Sequence, residues 1–476
     1  MKRDAGPLFV LGVLVLGILA GQGIGAAPAT LTLGCGVLAL VGSWIVVGRA
    51  RVVIAGVALA LLGSAVMQRA LHGLEHHALL PAVAVGDVVE LHGVLVSDPD
   101  GRRFGADARV RVDGTDRIVL VRASGDDTSR LRVLDAGDRV TVRGRLEELS
   151  GYDVRARWDH AVAAMAGTEV VRFEPPDSPL MKVANAVRAV ILRGTRPLDP
   201  TPRALLAGFL LGDTRAIPDH VTDEYRAAGL SHLLAVSGAN VAFVLLVCAP
   251  LLRRLALGGR TAAAMTIVLC FAAATRFEPS VLRASALATV TILATFFGRT
   301  VSPLRALIVA VSALLLVDPF LVHSLGFHLS CAASAGIALW ARPLASRLPG
   351  PALIREPFAV SISAQLGVTP VLLVTFGNVP LLTPLANLLA APAAEALGVF
   401  GLAASAFGGI VPPIGAVLAP VTTALIAWVS GIARVTSEVG GTIDTRTAIV
   451  GAVAIAGVVV VVRVLHRRSP SAESTR

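Results

Sequence analysis

The chain has 476 residues, 55% of them hydrophobic and only 16% charged, and it carries a formal net charge of +10 with an isoelectric point near 10.7. A soluble chain devotes roughly a quarter of its residues to charge, so a purely water-soluble globular protein is excluded. The basic balance does not by itself indicate nucleic acid, because arginines between membrane spans follow from the positive-inside rule.

Residues 1–70 hold three apolar stretches, Leu8–Ala20, Leu31–Val47 and Val52–Met67. The first, preceded by Lys2-Arg3 and followed by Gly25-Ala26-Ala27, has the outline of a cleavable signal. Two more spans follow at once, which favours an uncleaved first helix.

Residues 71–176 change character. Val88–Val96, Ala108–Val112, Arg117–Val121, Arg139–Leu146 and Glu169–Phe173 are short, rich in β-branched residues and separated by Gly and Asp clusters such as Asp98-Pro99-Asp100-Gly101. About five strands are expected, closed as a five-stranded Greek-key barrel of the OB type. Between Val85 and Pro175 there are 14 Arg, no Lys and 17 Asp plus Glu, and the aromatics are Phe104, Tyr152, Trp158 and Phe173. OB folds that grip single strands stack bases on aromatics along a basic groove, so this composition favours a scaffold or docking role over tight DNA binding.

Residues 177–228 read as linker helices. Pro179–Thr195, with Lys182, Arg188 and Arg193 among Val and Leu, is expected to lie on the membrane surface. Thr201-Pro202-Arg203 is expected to cap a helix running to Leu211.

Residues 229–462 are mostly membrane, with spans expected at Leu230–Leu251, Ala262–Ala274, Val281–Phe297, Ala306–Val317, Leu325–Leu339, Phe358–Phe376, Leu381–Phe407, Val411–Ser430 and Ala448–Val462. Several are short or broken by Pro and Gly, and re-entrant backbone is tolerated where protein or water shields it. The fold class is therefore an α-helical polytopic membrane protein of about ten to twelve segments with one small all-β domain. With the N-terminus in the cytoplasm, Arg253-Arg254, Arg299, Arg342 and the tail, residues 463–476, fall inside, and the β domain falls outside.

Ser231, His232, Ser237 and Asn240 lie within one otherwise apolar span. Such groups at membrane depth face a cavity or another helix. Ser237-Gly238 can form an unwound turn that lines a pore, or the same small residues can serve helix packing. Arg283 sits near the end of a span, just after Arg276 and Glu278, and Glu395 is the lone acid in its stretch. A salt bridge within the first group, or between Glu395 and Arg283, competes with a functional reading of each.

The run Gly212-Asp213 followed by Gly229-Leu230-Ser231-His232-Leu233-Leu234-Ala235-Val236-Ser237-Gly238 resembles the signature of the ComEC competence family. Pro279-Ser280-Val281-Leu282-Arg283-Ala284, Leu325-Gly326-Phe327-His328-Leu329-Ser330, Gln365, Thr369-Pro370 and Pro384-Leu385-Ala386-Asn387 resemble later elements of the same family. Many members carry a His where this chain has Ala239-Asn240. The resemblance implies a plasma-membrane channel that passes single-stranded DNA inward during natural transformation of a bacterium. Asp213, His232, Ser237, Asn240, Arg283, Gln365, Asn387 and Glu395 are then the expected pore or DNA-pathway residues, with Arg283 attracting phosphate.

Larger members of that family carry a metallo-β-lactamase-like domain. The ten histidines here are scattered, without a His-x-His-x-Asp-His cluster, so no metal or other cofactor and no nuclease chemistry is expected in this polypeptide. No Gly-Lys-Ser/Thr phosphate loop is present. A cytoplasmic ATPase motor, a separate nuclease and further copies of the chain remain open as partners beside the DNA and the lipid bilayer. Two rivals stand: a secondary transporter of a small or anionic solute, and a membrane-embedded hydrolase using Ser237 or Ser330 with His232, for which no orienting acid is placed. Cys35, Cys248, Cys270 and Cys331 all lie in apolar runs and read as packing residues.

Overall fold

The structure is a computed structural model, and it describes residues 5–447 apart from 26–28, 103–104, 116, 152, 235 and 445. The expected span Ala448–Val462 and the tail after it lie outside the described residues, as do Phe104 and Tyr152.

The chain opens with α1 (Ala5–Ile24), α2 (Ala29–Ile45), α3 (Arg49–Glu75) and the short α4 (Leu80–Val85). The β domain follows as β1 (Val88–Leu95), β2 (Asp100–Arg102), β3 (Gly105–Val112), β4 (Arg117–Ala123), α5 (Asp126–Arg132), β5 (Arg139–Glu147), α6 (Val154–Arg157) and β6 (Ala161–Glu174). Then come α7 (Pro179–Gly194), α8 (Pro200–Leu211), α9 (Asp219–Ala227), α10 (Ser231–Leu234), α11 (Ala239–Leu252), α12 (Leu257–Ala274), α13 (Pro279–Phe296) and α14 (Pro303–Val317). A 3₁₀ turn at Pro319–His323 leads to α15 (Leu325–Ala345) and α16 (Ala352–Phe376). The small strand β7 (Asn378–Pro380) precedes α17 (Thr383–Ala396), a π turn at Leu397–Gly401, α18 (Leu402–Ile410) and α19 (Pro412–Val439). The last strand, β8 (Thr442–Asp444), pairs antiparallel with β7.

Seven helices among the described residues are long and apolar enough to cross a membrane: α1, most of α3, α12, α13, α16, the continuous run Thr383–Ile410, and α19. The apolar helices α2, α11 and α14 are shorter. Their boundaries follow local chemistry. Ser302 and Ser324 cap α14 and α15 by accepting backbone hydrogen bonds from Arg305 and Phe327, and Pro279 opens α13 at a position where its missing N–H is harmless.

The β domain is a closed barrel. β1 pairs with β5, β5 with β6, β6 with β4, β4 with β3, and β3 back to β1, with β4 and β6 parallel and the others antiparallel. That circuit, with α5 between β4 and β5, has the connectivity of an OB-like barrel. Alternate residues of β3 and β5 point inward, so Val110, Val142 and Leu146 meet Val119, Leu131 and Met165 in one apolar core.

The closed circuit has the five strands expected, and the differences lie elsewhere. Asp100–Arg102 adds a short strand paired with β3, and the last strand begins at Ala161, well before Glu169. Ala161, Ala163 and Ala164 have weak β propensity, but each is buried where two sheet faces meet, and packing overrides propensity. Similarly, α7 does not lie alone on a surface. It packs against α18 and α12, and its Arg188 is 2% exposed. The helix ending at Leu211 starts at Pro200 with Asp199 as N-cap, ahead of the expected Thr201.

Candidate functional site: a broken helix and the arginines around it

The expected span from Leu230 is interrupted. Gly229 closes α9 with φ of +74°, and a side chain there would run into Thr383 at the start of α17. Only glycine meets both demands cheaply. The one-turn α10 follows, residues 236–238 are not helical, and α11 begins at Ala239.

The exposed backbone of this break is satisfied by side chains. The Val236 carbonyl accepts from Ser280 Oγ at 2.6 Å. Ser237 Oγ accepts from the Ala239 N–H at 3.2 Å, and the Ser237 carbonyl accepts from the Asn240 N–H at 3.0 Å. Buried Asn240 donates through Nδ2 to the Phe209 carbonyl at 2.6 Å, which ties the start of α11 to the end of α8. Non-helical backbone at membrane depth needs such partners.

Arg283 lies against this break. It is 8% exposed, and its Nε donates to Ser330 Oγ of α15 at 2.6 Å. A Cβ on Gly238 would strike the guanidinium, so the absence of a side chain there makes room for the charge. Among the described residues Arg283 has no ion pair. The salt bridges expected to compete for it do not form: Arg276 is held by Asp98 and Asp135, and Glu395 is exposed on α17 without a basic partner.

The other expected residues are dispersed. His232 is exposed on α10, and no hydrogen bond joins it to Ser237 or Ser330 among the described residues. Gln365 is half-buried on α16, with its Nε2 buried and without a partner. Asn387 is half-buried one turn into α17. Ser237, Asn240 and Arg283 are therefore brought together, whereas Asp213, next to the Gly212 that faces Val236, is bonded to Arg188 and Arg215 instead.

Asp213 itself belongs to a cluster that the sequence does not announce. Arg188 Nη2 bonds Asp213 at 2.7 Å and Asp98 of the barrel at 2.8 Å. Its Nη1 donates to the last carbonyls of α8 and α12, Leu211 at 3.4 Å and Ala274 at 3.3 Å. Arg276 reaches Asp98 at 2.7 Å, Asp135 at 3.4 Å and Asn185 Oδ1 at 2.6 Å. Arg215 completes the set with Asp213 at 2.8 Å.

The acids of this cluster respond in opposite directions. Burial pushes the Asp213 carboxyl up, but the Arg215 hydrogen bonds and the Arg188 charge outweigh it and bring the pKa down to about 2. Burial, then the neighbouring Asp98 charge, raises Asp135. Arg276 and Phe277 both have left-handed backbone, with φ of 59° and 54°. That conformation costs roughly 1–2 kcal/mol per non-glycine residue, and here it turns the Arg276 side chain onto the barrel.

A second contact seats the barrel on the helices. Trp158 stacks on His323 at 3.9 Å between ring centroids and meets Phe320 edge-on at 5.6 Å. His160 lies 3.3 Å from Asp318. Trp158 was noted in the sequence only as one aromatic of the β domain, and nothing there tied it to the turn 319–323. A shallow groove of about 390 Å³ lies on the barrel, lined by Arg143, Arg145 and Glu169 among others, and a void of about 10 Å³ lies among α7, α8, α18 and α19. Neither runs along the break.

Seven span-length apolar helices, a broken segment with polar groups and a buried arginine at its side define a polytopic helical membrane protein that carries a small barrel. The chain belongs to the Competence protein family, whose sequence model matches residues 209–470 and so contains the whole break and Arg283. It is 24% identical over 302 residues to ComE operon protein 3 of Bacillus subtilis (strain 168), covering 63% of this chain and 38% of that protein. It is 32% identical over 211 residues to the uncharacterized protein YcaI of Escherichia coli (strain K12), covering 41% of this chain and 28% of that one. The matches thus span well under two thirds of either relative. No solved structure matches the chain.

Proposed function

We propose that this protein conducts a single strand of DNA inward across the bacterial plasma membrane during natural transformation, with the broken segment forming part of the wall and the barrel on the outer side. The supporting observation is Arg283. A buried guanidinium costs several kcal/mol unless its charge is compensated, and here its neighbours are a serine hydroxyl and a glycine rather than a carboxylate. A charge placed this way at membrane depth is a functional feature by default, and a passing phosphodiester supplies the missing anion. Family membership and the likeness to ComE operon protein 3 support the same reading. Val236 and Asn240 are bonded to Ser280 and to the Phe209 carbonyl in the conformation described, so the helices around the break part when the strand passes.

Conduction is favoured over catalysis because, among the described residues, no hydrogen bond joins Ser237 or Ser330 to His232; Ser237 accepts from the Ala239 amide and Ser330 from Arg283. A broken helix also suits a secondary transporter with alternating access, which would move a small anion into vesicles containing the purified protein.

The test is Arg283→Gln at matched membrane abundance. Conversion of bound labelled DNA to a nuclease-resistant form should fall at least about tenfold, the effect of ~1.4 kcal/mol, while surface binding stays unchanged. Arg283→Lys, which keeps the charge but loses the planar fork, should fall between. Internalisation equal to the parent in Arg283→Gln would remove this residue from the path.

A further inference from the structure

We propose that the acid–arginine cluster between barrel and helices is a latch that holds the broken segment closed, with Asp98 as its pin. This rests on the reading of residues 236–238 as a pore wall and adds what keeps that wall shut.

Three features converge on Asp98. First, this single barrel side chain accepts from both Arg188 and Arg276, which come from two different parts of the helical domain, and its Oδ1 also accepts from the Ala136 amide at 2.9 Å, so its position reports that of the barrel. Second, both arginines lead directly to the break. Arg188 holds the last carbonyls of α8 and α12, and α8 grips Asn240 through the Phe209 carbonyl. Arg276 stands four residues before Ser280, whose hydroxyl holds the Val236 carbonyl on the other side of residue 237. The break is therefore clamped from two sides by elements whose ends are fixed to one barrel carboxylate.

Third, the turn after α12 aims Arg276 at the barrel. Left-handed Arg276 and Phe277 end α12 in a hydrogen-bonded cap, with the Phe277 amide donating to the Ala272 carbonyl at 2.7 Å and the Arg276 amide to the Ala273 carbonyl at 3.1 Å. The short link from this cap to Ser280 makes the start of α13 follow the Arg276 anchor. Withdrawing Asp98 removes the shorter of the two Arg276 ion pairs and one of the two Arg188 ion pairs, and so frees the start of α13, with Ser280 and Arg283, to move away from residues 236–238. Asp100 and Asp138 lie around the same cluster, but Asp98 is the acid that Arg188 and Arg276 share. Both guanidiniums are almost fully buried, so losing that acid leaves each of them one carboxylate short, which an arriving phosphate chain can supply.

The experiment places a cysteine at the break, Ser237→Cys, in the full chain in lipid nanodiscs. Reaction with a charged, water-soluble maleimide is read as the excess over the parent with its native cysteines. Ser124→Cys, on the exposed barrel surface, serves as a control. Labelling of Ser237→Cys, a partly exposed position, should be about tenfold faster with Asp98→Asn than in the parent, the population change that ~1.4 kcal/mol produces. Asp135→Asn removes only the longer Arg276 pair and should give a smaller acceleration in the same direction. It decides the matter alone if Asp98→Asn does not yield monodisperse protein. Ser124→Cys should react equally in all backgrounds. Unchanged Ser237→Cys labelling in the folded acid variants would overturn the latch and leave the pore reading standing. No labelling of Ser237→Cys in any background would overturn both, since the break would then be dry.

Discussion

Asn240 and Gly238 do different work on either side of Ser237. Asn240 spends its amide on the Phe209 carbonyl within the protein, so Asn240→Ala leaves a buried carbonyl unpaired and should cost about 1–3 kcal/mol, read as a lowered melting temperature in detergent. Gly238→Ala should act on function more than on stability, because the added methyl displaces the Arg283 side chain. DNA internalisation should drop toward the level of Arg283→Gln while protein abundance holds. Asp213 makes a pH prediction outside the spans. Its folded pKa of about 2 lies below the ordinary 3.8, so its ion pairs contribute stability that is fully present above pH ~4 and is lost as pH falls toward 2. The shift corresponds to about 2 kcal/mol. The stability gap between parent and Asp213→Asn should therefore be constant from pH 7 to 5 and close below pH 3. A gap independent of pH in the acid range would show that Asp213 is not ion-paired. Asp135 runs the other way, and mild acid relieves the cost of its burial.

The elements were legible to very different degrees. Apolar length announced the membrane helices, and Ser237-Gly238 marked a place where a span would unwind, which the structure bears out. Strands rich in Val were readable from their alternation, whereas the alanine-rich start of β6 was not, since only burial in the barrel makes Ala161–Met165 a strand. The docking of barrel on helices could not be read at all. Asp98 looked like a turn residue, and Arg188 one cation of an amphipathic helix. Their 2.8 Å contact joins residues 90 apart, a pairing that no local pattern signals. Trp158 illustrates the same limit. Its contacts with Phe320 and His323 predict that Trp158→Ala costs about 3 kcal/mol or more by vacating packed space, measured by proteolytic release of the barrel. Proteolysis matching the parent would mean that this contact does not anchor it.

For the whole molecule, the arrangement is a small barrel clasped to a helical domain whose break lies directly beneath the clasp. The barrel carries 14 Arg against 17 Asp plus Glu between Val85 and Pro175, while buried Arg283 has a serine as its neighbour. Under the proposed function, the pull on phosphate is therefore exerted within the helices rather than at the barrel. The most direct measurement is to stall a single strand in transit by a bulky block at its trailing end, with photo-reactive nucleotides along its length, and to map the cross-linked peptides. The account predicts adducts on the segment from Leu230 to Asn240 and on the start of α13 and α15. Adducts confined to the barrel surface, with those three segments unmodified while the strand is demonstrably stalled, would contradict it.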